Sequence, residues 1–207
     1  MRPEKRKSNT VIAICKRRDG KLMIAGDRRC SWGYSMAQSM EFPKVNKKDN
    51  ILLGATGHGD LCSLFVEDGG FKFPERKVKC VNSYMYHTVK PAVHRFLIGQ
   101  KYGNKGEMAL PPDTYVGIIV GIDDQVWELI ISNPLEGGHH FAGDISIGRI
   151  PAIPYAVGCG GLTTLSVMNY ILKTKKYLTK KDLEDSVQMA IDMSPGCGGE
   201  CDVITQD

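Results

Sequence analysis

Thr10-Val11-Ile12-Ala13-Ile14-Cys15-Lys16, then Arg18-Asp19-Gly20, then Lys21-Leu22-Met23-Ile24-Ala25-Gly26 running into Asp27, decide how the chain is read. The first and third pieces are β-branched and apolar and the second is a turn signal, so the segment predicts a hairpin with Thr10 at its open end. A further extended run, Met40-Glu41-Phe42-Pro43-Lys44-Val45, follows a loop of small and polar residues, which lets Lys44 lie beside that same end. A hydroxyl, a carboxylate and an ammonium thus converge, and the remaining chain reads as their support.

Outward from this stretch, Ile51 to Thr56 reads as a buried strand and Gly57-His58-Gly59 as a tight turn before a helix starting near Asp60. Val81 to Ile98 has mixed helical periodicity that Pro91 ends or kinks, and Gly99 to Pro112 reads as a long polar loop. Thr114 to Ile122 and Val126 to Ile131, joined at Asp123-Asp124, alternate as a second hairpin. Tyr155 to Gly158 is a short strand, Cys159-Gly160-Gly161 a flexible turn, and Leu162 to Lys173 a helix with Leu165, Met168 and Leu172 on one face. Thr179 caps a further helix with Asp182 at its N3 position and Leu183, Val187, Ala190 and Ile191 as its apolar stripe. Cys201 to Thr205 closes the chain as a strand. This order implies an α+β fold with two sheets face to face and helices outside.

At 207 residues with 42% apolar content, the chain suits one well-cored domain, here residues 10–207, preceded by an arm at residues 1–9. That arm is basic and aperiodic, and reads either as a disordered tail or as a removable propeptide; it is also a candidate binder of a polyanion or a partner. No run of eighteen apolar residues and no hydrophobic region after the charged N-terminus point to a cytoplasmic protein without a membrane span. Seven cysteines at irregular spacings suit reduced thiols. The net charge of +4 is concentrated in the arm, with no basic stripe interleaved with aromatics, which argues against nucleic acid as a partner. Cys197 and Cys201, even with Cys159 and His139-His140, form one weak Cys-x-x-x-Cys pattern rather than a zinc site. Gly196-Cys197-Gly198-Gly199 lacks the lysine of a phosphate loop, so neither a metal nor a cofactor is expected. His58, a lone loop histidine, reads as solvent-facing.

Several islands of the sequence resemble the N-terminal-nucleophile (Ntn) hydrolases of the proteasome β-subunit and HslV type. Thr10-Val11-Ile12-Ala13-Ile14 with Ile24-Ala25-Gly26-Asp27 looks like that family's opening hairpin, and Pro43-Lys44-Val45 like its lysine strand. Leu53-Gly54-Ala55-Thr56-Gly57 is similar to the turn that supplies an oxyanion amide, and Ala156 to Gly161 resembles a glycine-rich turn in which Cys159 stands where serine is usual. The last island is Ala190-Ile191-Asp192-Met193-Ser194. Counting back from Asp27 at the family's spacing lands on Val11, so Thr10 fits when the Arg17 to Gly20 turn absorbs one extra residue. The resemblance implies a four-layer αββα sandwich, assembly into homo-oligomeric rings, docking on an AAA+ unfoldase and a polypeptide substrate.

The chemistry implied is threonine-type peptide hydrolysis. A hydroxyl attacks an amide once a base takes its proton, and a threonine at a free N-terminus carries that base in its own α-amine, with an unperturbed pKa of about 7.7 to 8.0. Lys44 would hold the amine's pKa down and polarise the hydroxyl, Asp27 would orient Lys44, the Gly54 amide would meet the oxyanion, and Asp192 and Ser194 would stand around the amine. While Asn9 remains attached, the Thr10 nitrogen is an amide without a basic lone pair, so removal of residues 1–9 is a condition of activity. The alternative is a catalytically inactive ring or scaffold protein of the same fold that keeps its arm, in which Thr10 is an ordinary strand threonine.

Overall fold

The structure, a computed structural model, describes residues 10–30, 40–100, 102–104, 107–111, 114–133 and 143–207; the N-terminal arm, the loop ahead of Met40 and His139-His140 lie outside them. In chain order the elements are β1 (Val11–Lys16), β2 (Leu22–Asp27), β3 (Arg29–Cys30), β4 (Met40–Glu41), β5 (Val45–Lys48), β6 (Ile51–Gly57) and α1 (Gly59–Val66). There follow α2 (Val81–Tyr84), a π-turn (Met85–Val89), α3 (Lys90–Gly99), β7 (Gly103–Asn104), β8 (Glu107–Met108), β9 (Tyr115–Ile122), β10 (Gln125–Ser132) and β11 (Asp144–Ile150). The last elements are β12 (Tyr155–Gly158), α4 (Gly161–Leu172), α5 (Lys180–Met193) and β13 (Cys201–Thr205).

The opening hairpin pairs Ile12 with Gly26 through to Lys16 with Leu22, leaving residues 17–21 as its turn, where Gly20 takes a φ of 84°. It forms the centre of an antiparallel sheet in the order β12-β1-β2-β13. The second sheet, also antiparallel, runs β11-β10-β9-β6-β5. The strand period of two then assigns each side chain to a layer. Ile12, Ile14, Leu22 and Ile24 meet Val45, Leu52, Ile119 and Val126 between the sheets. On the other face of β1 and β2, Val11, Ala13, Cys15, Met23 and Ala25 pack on Met168 of α4 and Leu183, Val187 and Ala190 of α5. The outer face of the second sheet buries Leu53, Ala55, Ile118, Val120 and Leu129 against Leu61 and Phe65 of α1 and Val93 and Leu97 of α3. The result is the four-layer αββα sandwich, and its double-sided burial explains why β1 reads as a continuous apolar run rather than an alternating one.

Three details depart from the sequence expectation. Pro91 does not end the helix: α2, the π-turn and α3 run on without a break from Val81 to Gly99, and the wider π-turn, in which the Lys90 amide bonds the Met85 carbonyl, lies immediately ahead of the proline. The expected polar loop after Gly99 carries the β7–β8 pairing and buries Tyr102, Met108 and Leu110. β11 had no counterpart in the sequence pattern, because as an edge strand it buries Ile145 alone and shows little apolar alternation.

The Thr179 cap of α5 is reciprocal: the threonine hydroxyl accepts from the Asp182 amide at 3.1 Å, and Asp182 Oδ2 accepts from the Thr179 amide at 2.8 Å. Thr179→Ala is therefore expected to lower unfolding free energy by about 1 kcal/mol, read as a lower urea midpoint at unchanged slope.

Candidate active site

Asp27 is the last residue of β2 and is wholly buried, so its carboxylate must be compensated where it stands. Its Oδ1 accepts from the Thr10 hydroxyl at 2.5 Å and from the Val11 amide at 3.0 Å, and its Oδ2 accepts from the Gly198 amide at 3.1 Å. Lys44, immediately before β5, donates from Nζ to Thr10 Oγ1 at 3.0 Å and to the Arg29 carbonyl at 2.7 Å, and stands 4.0 Å from Asp27 Oδ1. The Thr10 oxygen is thus held between a carboxylate that takes its proton's hydrogen bond and an ammonium that approaches its lone pair. Such an oxygen is oriented, and charge developing on it has a cation in contact. Thr10, and not Val11, makes this contact, since the Val11 side chain lies in the cluster facing α4 and α5.

Gly54 lies inside β6 rather than at a turn, opposite Val45 on one side and Ile119 on the other. The Ala55 amide bonds the Lys44 carbonyl at 3.0 Å and the His58 amide bonds the Tyr115 carbonyl at 3.0 Å. Amides alternate sides along a strand, so the Gly54 amide faces β9 and is spent in the ladder, whereas the Gly57 amide faces the Lys44 side. The reason for glycine at Gly54 is packing: a Cβ there would lie 2.8 Å from Ile12 Cγ2 and 2.9 Å from Ile24 Cδ1, across the intersheet core. His58 is half-buried rather than solvent-facing, and its Nδ1 is buried without a hydrogen-bond partner among the described residues.

The turn after β12 brings the other end of the chain to Thr10. Gly158, with φ of 88°, passes so close that a Cβ would fall 2.1 Å from the Thr10 carbonyl oxygen. The protonated Cys159 thiol donates to that carbonyl at 3.4 Å, its sulfur stands 3.3 Å from Cys197 Sγ, and Ser194, at the end of α5, donates to it at 3.7 Å. Hydrogen bonding from the Cys197 thiol pulls the Cys159 pKa down to about 6 against the opposing effect of burial, with Ser194 assisting; the same contact, and burial, push the Cys197 thiol up. Asp192 does not join the group. It is exposed and accepts from Gln188 Nε2 at 2.8 Å, because two residues beyond the buried Ala190 turn it to the outer face of α5. The structure therefore brings together Thr10, Asp27, Lys44, Cys159 and Ser194, adds Cys197, Gly198 and the Arg29 carbonyl, and leaves Gly54 in the ladder and Asp192 outside.

Among the described residues no group of three metal-ligating side chains occurs, and no helix is long and apolar enough to cross a membrane. The shared tetrapeptide Gly-Cys-Gly-Gly at residues 158–161 and 196–199 was the signal by which Cys197 and Gly198 were findable from sequence.

No protein-family model and no curated protein matches the chain. Among solved structures it is similar to BPH of Thiobacillus denitrificans in complex with epoxomicin, at 14% identity over 96% of this chain and 98% of that one, with a TM-score of 0.66. BPH without that addition matches at 15% identity with a TM-score of 0.63, over 96% and 98% of the two chains. Eukaryotic HslV from Trypanosoma brucei matches at 15% identity, over 94% and 98%, with a TM-score of 0.55. The fold is that of the proteasome and HslV type.

The reactivity of Cys159 provides a check on the site's electrostatics. Its rate of alkylation by iodoacetamide should rise with pH through about 6, as the thiolate forms, and level off above it. A midpoint near 8.5, the value of an unperturbed thiol, would contradict the contact with Cys197.

Proposed function

We propose that the chain is a threonine-type endopeptidase subunit in which Thr10, once freed at its N-terminus, is the nucleophile. The observation that carries the reading is the placement of Thr10 Oγ1 between Asp27 Oδ1 and Lys44 Nζ in a buried setting. Removal of residues 1–9 turns the Thr10 nitrogen from an amide into an amine that takes the hydroxyl proton as Oγ1 attacks a peptide carbonyl. Lys44 stabilises the charge at Oγ1 during attack, Asp27 holds both groups in register, and the Gly57 amide, on the Lys44 side of β6, is the donor for the tetrahedral oxyanion. The proton then passes from the amine to the leaving nitrogen, and water hydrolyses the resulting ester. Cys159 and Ser194 order the turn that packs against the Thr10 carbonyl.

The same reading makes the protein a homo-oligomeric ring in the cytoplasm, with a polypeptide substrate and an AAA+ unfoldase as partner. Exposed apolar side chains on the outer helices support self-association: Leu162 and Tyr170 of α4 are 79% and 69% exposed, and Met193 of α5 is 67% exposed. Tyr170→Asp is expected to shift the assembly toward smaller species in light scattering while leaving the far-UV spectrum unchanged.

A scaffold role is the second reading, favoured by one observation: with Asn9 attached, the Thr10 nitrogen has no lone pair to act as base. Peptide hydrolysis separates the two. Thr10→Ala should abolish turnover of small fluorogenic peptides with assembly intact, and Lys44→Met should lower kcat/KM on the order of a hundredfold. Unchanged hydrolysis in Thr10→Ala would remove Thr10 from the reaction.

A further inference from the structure

The two Gly-Cys-Gly-Gly turns, Gly158-Cys159-Gly160-Gly161 and Gly196-Cys197-Gly198-Gly199, come from opposite ends of α4 and α5 yet meet sulfur to sulfur, with Cys159 Sγ 3.3 Å from Cys197 Sγ. Room for that contact is built into the backbone: a Cβ at Gly160 would lie 2.8 Å from Cys197 Sγ, so any other residue there would collide with the second sulfur. The two thiols are unequal in access. Cys159 is exposed, whereas Cys197 is buried at 2% exposure. An exposed sulfur that meets an oxidant, backed by a buried sulfur in contact with it, is the arrangement of a reactive thiol and its resolving partner.

We propose that Cys159 and Cys197 form a redox-active dithiol, a modification site for hydroperoxides. In the first step the Cys159 thiolate attacks one peroxide oxygen, the O–O bond breaks, and the departing hydroxide takes a proton and leaves as water, giving Cys159 sulfenic acid. In the second, Cys197 sulfur attacks the Cys159 sulfur and loses its proton, the S–O bond breaks, and the hydroxyl leaves as a second water. The two thiols lose two electrons in total and the peroxide gains them. Closing the bond requires the sulfurs to approach by about 1.3 Å from their 3.3 Å contact, and the glycines on both sides of each cysteine give the backbone freedom for it. The low pKa of Cys159 supplies thiolate at neutral pH.

The inference does not depend on Thr10 acting as a nucleophile, and its test reads the sulfurs directly. The full chain is exposed to hydrogen peroxide, its remaining thiols are blocked with iodoacetamide, and its peptides are mapped by mass spectrometry. The expected product is a peptide pair joining Cys159 to Cys197, two hydrogen masses lighter than the sum of its parts and separated again by dithiothreitol. Cys197→Ser should lose the cross-link and leave a Cys159 sulfenic acid that dimedone captures; Cys159→Ser should lose both signals. Each serine variant is first matched to the parent by circular dichroism. Recovery of Cys159 and Cys197 as separately alkylated peptides after peroxide overturns the proposal, as does a dimedone adduct at Cys159 in the parent protein that never yields the disulfide.

Discussion

A wholly buried carboxylate is the constraint around which the first layers of this protein are arranged. Asp27 has no water to turn to, and the energy of leaving it uncompensated would be several kcal/mol. Three donors from two separate parts of the chain meet it: the Thr10 hydroxyl and Val11 amide and, 171 positions from Asp27, the Gly198 amide. Lys44 completes the group from the second sheet. The start of β1, the end of β2, the approach to β5 and the turn before β13 are therefore tied at one point. The same requirement that stabilises the fold leaves a hydroxyl oxygen oriented between an anion and a cation.

That point exists because two sheets close on each other at short range. Ile12 and Ile24 of the first sheet reach over Gly54 of the second, where no side chain stands in the way. Likewise, Ile14 Cδ1 would lie 3.0 Å from a Cβ placed on Gly121 of β9. Close sheet packing brings Lys44, on the second sheet, within 3.0 Å of a hydroxyl at the start of the first. Gly54 of β6 and Gly121 of β9 act on the site through this spacing.

The hairpins, the capping box at Thr179 and the last strand were legible because each is local: a turn signal between β-branched runs, an N-cap three residues ahead of its partner, an apolar stripe with a helical period. The convergence of Thr10, Asp27 and Lys44 was legible for the same reason, since all three lie within one hairpin and the run that follows it. What escaped was non-local. The role of the Gly198 amide and the contact of Cys197 with Cys159 arise from a chain reversal after α5 that no periodicity announces. The direction of an amide along β6 needs both neighbouring strands, so the sequence did not show that the Gly54 amide is spent in the ladder with β9. Asp192 was drawn in by its position in a motif, whereas its place on the outward side of α5 follows from the buried stripe through Leu183, Val187 and Ala190. Edge strand β11, with one buried residue, carried too little pattern to be seen.

The central claim is that Thr10 becomes a nucleophile by gaining a free α-amine, since the hydroxyl is already in contact with Lys44 and Asp27 while the nitrogen still carries Asn9. The intact mass of the purified, assembled protein tests this most directly. The account predicts a chain that begins at Thr10, with the first nine residues of the sequence lost. An assembled protein that hydrolyses peptides while every chain still carries Met1 to Asn9 would contradict it.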